Sequence, residues 1–268
     1  MNENVIRSLS GLVYIFLLVS ATLFSRETFL ALFGLFLLQT VREFSSLINL
    51  PKMPAVIVSG LMYLLFTLFV ETTYFLDFGL IIASMFVSIQ LLFWLFSDKF
   101  EHQDLQSKWV KLIGYITLPF ILIAKIPYEQ NQFTPSIIIA IFILIWTNDT
   151  FAYIVGKSIG KNKLLEKISP KKTIEGFFGG VVFAIIAGVI IAKYYIHSSI
   201  LVWIITALIV SVFGTIGDLI ESKFKRLANV KDSGNIMPGH GGILDRLDSI
   251  IFVAPFLFLF YKIITYVS

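Results

Sequence analysis

Apolar residues run through this chain in long, nearly unbroken stretches rather than with the alternation expected of half-buried strands or amphipathic helices. Nine stretches stand out, at approximately 10–24, 28–48, 55–70, 76–97, 111–126, 135–155, 175–195, 200–220 and 249–267. Most approach the roughly 17–25 residues that a helix needs to cross about 30 Å of hydrocarbon. The third and fifth are short enough to predict tilted or partly re-entrant segments. The pattern predicts an all-α polytopic integral membrane protein with about nine transmembrane helices. Residues 1–110 would form helices one to four, and residues 111–268 helices five to nine. The second group carries two long polar connections, 156–174 and 221–248, and with them the candidate chemistry. Arg7 precedes the first stretch, but Ala21 to Ser25 offers no small-x-small cleavage site, so the first helix is expected to be retained.

Composition supports the same class. The chain is 57% hydrophobic and 14% charged with a mean hydropathy of +0.88, against about 45–50% and 25% in ordinary globular domains. The absence of cysteine excludes disulfides, thiolate metal sites and cysteine nucleophiles, so any metal must take oxygen or nitrogen ligands. A net charge of +4 would suggest nucleic acid in a water-soluble protein. In a membrane chain an excess of Lys and Arg records topology instead, and no nucleic-acid partner is expected. With the connections after helices two, four, six and eight on one side, that side and the N-terminus hold 17 of the 21 basic residues, Arg7 and Lys99 among them. The other side holds Arg26, Lys125, Lys193 and Lys262. The positive-inside rule therefore places the N-terminus and the long polar connections in the cytoplasm, and the C-terminus outside.

The most informative stretch runs from Gly217 to Ser249. If helix eight continues past the bilayer, Asp218, Ser222 and Lys225 stand at i, i+4 and i+7 and share a face. Asp245 and Asp248, at i and i+3, share a face where helix nine begins, just after Gly239, His240, Gly241 and Gly242. Carboxylates set among cations suit a metal-bound phosphate. Mg²⁺ takes oxygen ligands, keeps several waters and accepts one or two protein carboxylates, while Arg and Lys neutralise the remaining phosphate charge. The glycines would let backbone N–H groups approach phosphate closely. The plainer alternative is a solvated loop with helix-capping aspartates. It does not account for Asp218 at the edge of the bilayer.

A second stretch begins inside helix six at Trp146, Asn148, Asp149 and Tyr153, and continues through Gly156, Gly160 and Lys161 to Ser169, Lys171, Lys172, Thr173, Glu175 and Gly176. A carboxylate this deep in an apolar helix costs about 2.5 kcal/mol or more unless paired or solvated. Asp149 should therefore line a polar cavity, or else pair with a nearby Lys or Tyr. Lys171, Lys172 and Thr173 precede a helix whose N-terminus favours anions, although a charged loop alone would look the same. Arg42 and Glu43 could equally serve structure or reach lipid phosphate. His240 could act as an acid, a phosphate donor or a loop brace, and His102 and His197 read as surface residues. The metalloprotease, P-loop and α/β-hydrolase motifs are absent.

The C-terminal stretch resembles the signature of the phosphatidate cytidylyltransferases, or CDP-diacylglycerol synthases, of the form S-x-x-K-R-x4-K-D-x5-P-G-H-G-G-x-x-D-R-x-D. It stands here as Ser222, Lys225, Arg226, Lys231, Asp232, Pro238, Gly239, His240, Gly241, Gly242, Asp245, Arg246 and Asp248, without departure. Asp149, Ala152, Tyr153, Gly156, Gly160 and the 169–176 block are similar to the family's upstream element. The likeness covers about the last 120 residues, and the N-terminal half is similar mainly in hydropathy. The resemblance implies transfer of CMP from CTP to phosphatidic acid, giving CDP-diacylglycerol and pyrophosphate, with Mg²⁺ and a K⁺ beside it. It implies a homodimer in the inner, cytoplasmic membrane with the active site facing the cytoplasm. Asp218, Asp245 and Asp248 would hold the metal, with these and Lys225 as the catalytic set. Ser222, Lys225, Arg226, Lys231, His240 and Arg246 would bind phosphates, Lys171, Lys172 and Thr173 would close over the nucleotide, and Asp149 with Tyr153 would shape the lipid's cavity. Two alternatives remain: a CTP-dependent polyprenol or phytol kinase, and an ion transporter gated by Asp149 and Asp218.

Overall fold

The computed structural model describes residues 3–69, 74–97, 104–129 and 132–267. The side chain of Arg7, and residues Lys99 and His102, lie outside that description. The described residues form ten α-helices and two small hairpins. α1 (Glu3–Phe24) turns into α2 (Arg26–Leu47) across Ser25 alone, because Ser25 Oγ accepts the Thr28 N–H while Thr28 Oγ1 accepts the Ser25 N–H. That reciprocal pair satisfies donors a helix start leaves orphaned. α3 (Lys52–Leu64) is followed by α4 (Tyr74–Phe96).

α5 (Leu105–Lys111) and α6 (Leu118–Lys125) form one rod, joined by a π-helical turn over Leu112–Thr117. Pro119 withholds the N–H that would bond the Tyr115 carbonyl four residues back, and within the same turn Thr117 Oγ1 donates to the Leu112 carbonyl at 3.3 Å. The fifth apolar stretch is thus the second half of a 21-residue span, Leu105–Lys125, rather than a short crossing. A hairpin of β1 (Tyr128–Glu129) and β2 (Gln132–Phe133) leads into α7 (Pro135–Ile159). A second antiparallel hairpin, β3 (Lys163–Leu165) with β4 (Ser169–Thr173), leads into α8 (Ile174–Ile191). α9 (Ile200–Leu227) and α10 (Leu244–Val267) complete the chain.

All nine apolar stretches lie on helices. Seven of the described helical spans are long and apolar enough to cross a membrane, and Leu9–Phe24 and Lys52–Leu68 are shorter. One cluster of buried side chains runs from Tyr14 to Phe258, across the boundary near residue 110, and α10 lies within it from Ile250 to Ala254. Large apolar side chains such as Phe16, Phe75 and Phe93 are exposed on the outside, as a lipid-facing surface requires. Lipid tails are as apolar as these side chains, so helices associate in a bilayer through close contact and polar links rather than through the hydrophobic effect. α8 meets α7 backbone to backbone: a Cβ on Gly176 would stand 2.6 Å from the Ala152 carbonyl oxygen, and one on Gly180 2.8 Å from that of Asn148.

Polar links divide the bundle into two ends. At one, Asp77 of α4 pairs with Lys125 of α6 at 3.0 Å and with Lys262 of α10 at 2.6 Å. At the other, Lys223 of α9 donates to the carbonyls of Trp94 and Ser97 at the end of α4, Glu43 of α2 reaches the start of α10, and Ser10 of α1 reaches His240. The connections after α2, α7 and α9 share this second end with the first turns of α1, in the alternation the sequence predicts. Breaking a buried ion pair from one side leaves uncompensated charge. Asp77→Ala is expected to lower the thermal midpoint in detergent by about 5 °C or more; an unchanged midpoint would show that the triad does not clamp α4, α6 and α10.

Candidate active site

Three helices deliver the carboxylates. Gly217 lets α9 and α10 touch, since a Cβ there would stand 2.7 Å from the Asp248 carbonyl oxygen, and the contact sets Asp218 beside Asp248. Glu221, one turn on from Asp218, joins them: one carboxylate oxygen from each of Asp218, Glu221 and Asp248 lies within 4.8 Å of the others. Asp149 arrives from α7 and lines a cavity of about 230 Å³ with Asp245, Asp248, His240 and Arg246.

The cations reach this cluster in two ways. Neighbouring strand residues point to opposite faces, and β4 turns Lys172 inward, its Nζ 2.5 Å from Asp218 Oδ2. Burial pulls the Lys172 ammonium down, but Asp218, with Asp149 and Asp248 behind it, outweighs that and holds it above the ordinary lysine value. Lys172 is therefore charged throughout the neutral range. Lys225 of α9 bridges Glu221 Oε2 and Asp245 Oδ1, at 2.6 Å each. Five carboxylates thus face Lys172, Lys225 and Arg246, a surplus of negative charge that suits a divalent cation.

Glu43 and Asp245 shape the connection from α9 to α10. Glu43, 4% exposed, accepts the N–H groups of Ile243 at 3.1 Å and Leu244 at 2.8 Å and the Gln39 amide at 2.8 Å, and its Oε2 lies 3.3 Å from Ser233 Oγ. It caps α10 from a different helix. Asp245 Oδ2 accepts from the Ser233 N–H, the Ser233 hydroxyl and the Gly242 N–H, and Oδ1 from Lys225. Gly239 and Gly241 take φ of 74° and 83° in the turn between these anchors, a region open to glycine.

The residues singled out in the sequence fall into two groups. Asp149, Lys172, Asp218, Ser222, Lys225, His240, Asp245, Arg246 and Asp248 come together. Ser222 donates to Asp218 at 3.3 Å, and Arg246 to the His240 carbonyl at 3.1 Å. Thr173 is buried, with its hydroxyl capping α8 at Gly176 N–H, so it orders the strand–helix junction instead of closing over a ligand. Tyr153 is 67% exposed beside Lys157, outside the cavity lining. Lys171 and Lys231 are exposed, and Arg226 reaches the Ile168 carbonyl at 3.5 Å.

Both oxygens of Asp245 are occupied by protein donors. Glu221, 1% exposed, keeps Oε1 without a hydrogen-bond partner among the described residues. Asp218, Glu221 and Asp248, whose oxygens stand together, are the set placed closely enough to hold a small divalent cation, with Asp245 holding the loop and Lys225 behind it. Sequence reasoning missed Glu221, although its place three residues after Asp218 and four before Lys225 puts it on the same helical face. Glu43, read there as serving structure or reaching lipid phosphate, takes the structural role; Tyr14, far away in the sequence, was missed.

Comparison with known proteins adds a second line. A sequence model described as "Cytidylyltransferase family" matches residues 5–264. A phosphatidate cytidylyltransferase of Staphylococcus epidermidis is 44% identical over 146 residues, covering 54% of this chain and 55% of its own. One from Bacillus subtilis is 47% identical over 155 residues, covering 54% and 57%, and one from Staphylococcus aureus 46% over 147 residues, covering 54% and 55%. The chain thus spans about half the length of the curated relatives it matches.

Two outcomes test this geometry without reference to turnover. Glu43→Ala is expected to expose residues 228–243 to limited proteolysis and to cost about 3 kcal/mol, since it orphans buried donors; unchanged cleavage would remove Glu43 as the anchor. Mn²⁺ binding, read by electron paramagnetic resonance, should weaken at least about tenfold in Glu221→Gln and much less in Asp245→Asn. The reverse order would return the metal to Asp245.

Proposed function

Because the chain belongs to the cytidylyltransferase family, we propose that it transfers CMP from CTP to phosphatidic acid, releasing pyrophosphate and CDP-diacylglycerol. The observation that carries this reading is the Asp218, Glu221 and Asp248 cluster flanked by Lys172 and Lys225, at one end of a bundle whose outer surface is apolar. A phosphate oxygen of the lipid attacks the α-phosphorus of CTP, the bond from that phosphorus to the bridging oxygen breaks, and pyrophosphate departs. The nucleophile is already anionic, so no general base is needed. The barrier lies in bringing two anions together in line and in stabilising charge on the leaving group.

The residues address those two costs. Lys172 and Lys225, held by carboxylates, present fixed positive charge that costs little reorganisation as the leaving group departs. Arg246 offers planar N–H donors for a second phosphate. A Mg²⁺ held by Asp218, Glu221 and Asp248 would supply Lewis-acid neutralisation of phosphate charge, and the family resemblance adds a K⁺ beside it. The basic residues gathered at this end support a site facing the cytoplasm, in the inner membrane of a bacterial cell. The resemblance also implies a homodimer, which crosslinking in intact membranes tests.

The deciding experiment supplies purified protein with CTP, Mg²⁺ and phosphatidic acid and follows pyrophosphate and CDP separately. Lipid-dependent pyrophosphate with a CMP-bearing lipid is expected. CDP formed on addition of polyprenol would make the protein a kinase, and no nucleotide turnover with either lipid would overturn both. Lys172→Ala and Asp248→Asn are each expected to lower kcat by about 100-fold or more while the protein remains inserted; near-normal turnover in either would remove that residue from the chemistry.

A further inference from the structure

The cavity beside Asp149 and Asp248 has a mixed lining: Asp149, His240, Asp245, Arg246 and Asp248 are polar, and Ile15, Phe142, Ile145, Trp146 and Ile250 are apolar. At about 230 Å³ it is smaller than the roughly 300–1,000 Å³ of sites that enclose a drug-sized ligand. It has room for a headgroup and its nearest methylenes. Ile15 of α1 lines the cavity and is 38% exposed, so an apolar side chain stands at an accessible part of its lining.

α1 turns one face inward. Ser10 Oγ and His240 Nδ1 are 2.7 Å apart, and the Ser10 hydroxyl also lies 3.0 Å from the Pro238 carbonyl oxygen. Gly11 admits the His240 ring, whose Cε1 would lie 3.3 Å from a Cβ there. One turn after Ser10, on the same face, Tyr14 lines the cavity. It is 7% exposed, and its hydroxyl has no hydrogen-bond partner among the described residues. Its ring packs on Phe36, 6.0 Å between centroids, so phenylalanine would satisfy the packing. A buried hydroxyl without a partner is a standing cost, which a ligand acceptor in the cavity would remove.

We infer that this cavity is the subsite for the lipid phosphomonoester, that the Tyr14 hydroxyl donates a hydrogen bond to its phosphate, and that Ile15, Phe142 and Trp146 seat the first acyl methylenes. The inference rests on the reading of the protein as a lipid-directed cytidylyltransferase and specifies where the lipid sits. A phosphate entering here meets Arg246 in the lining, with the Asp149 and Asp248 carboxylates also present, so a neutral donor such as tyrosine adds binding without further charge.

Tyr14→Phe is the test. In nanodiscs, binding of phosphatidic acid is expected to weaken about tenfold and its KM to rise equally, as for a lost hydrogen bond to a charged group, while the KM for CTP stays as in the wild type. The thermal midpoint of the ligand-free protein should stay or rise, since an unsatisfied hydroxyl is gone; a purely structural role for Tyr14 would lower it and leave the lipid affinity alone. Ile15→Ala, at a partly exposed position that folding tolerates, should weaken phosphatidic acid but not glycerol 3-phosphate, which lacks acyl chains. Unchanged lipid binding in Tyr14→Phe, or a loss confined to CTP, overturns the inference even where the wild type turns over. If wild-type protein binds phosphatidic acid through Tyr14 yet forms no CDP-diacylglycerol, the subsite stands and the proposed reaction falls.

Discussion

A carboxylate on the second helix holds the segment that the candidate chemistry depends on. Glu43 is buried, and its oxygens collect two backbone N–H groups at the start of α10 and the Gln39 amide. No neutral side chain could offer as strong an acceptor to a helix N-terminus, where the dipole and the orphan donors both favour negative charge. The constraint is strict because Gly242 and Gly234 press against this carboxylate, leaving no room for a side chain at either position. With α10 started in this place, Asp245 reaches Lys225, and Asp248 stands beside Asp218 and Glu221.

Charge in this bundle is arranged as two separate sets. At one end Asp77 meets Lys125 and Lys262, a closed triad with both carboxylate oxygens used. At the other, the five clustered carboxylates face only Lys172, Lys225 and Arg246, and Glu221 retains an oxygen without a partner among the described residues. Charges taken out of water are costly unless paired, so a closed triad serves as a clamp, while an incomplete set indicates a place where something else brings charge. The lysines of the incomplete set are each fixed by carboxylates: Lys172 by Asp218, and Lys225 by Glu221 and Asp245.

Much of this was legible in the sequence. Asp149 and Asp218 are carboxylates within or at the edge of apolar helices, which the cost of charge in hydrocarbon marks as functional. The spacing of Asp218, Ser222 and Lys225, and of Asp245 and Asp248, placed them on shared faces because helical periodicity is a local property. Glu221 shares that face too, but nothing local distinguishes an acid that bonds to a neighbouring lysine from one that is left with a free oxygen. Thr173 shows the opposite case: it sits among site-like residues in sequence, yet its hydroxyl is consumed by the backbone of its own helix start.

The sequence alone determined the helical class, the apolar spans, the side on which basic residues collect and most of the side chains in the acidic cluster, since hydropathy and i, i+4 spacing act over a few residues. Only the tertiary structure decided which carboxylate holds the loop and which ones stand together in a cluster. It also decided that Glu43 and Tyr14, some 200 residues before α10, belong to the same region. Those assignments depend on which donors face each oxygen across helix contacts, and such contacts form between segments that no local pattern relates.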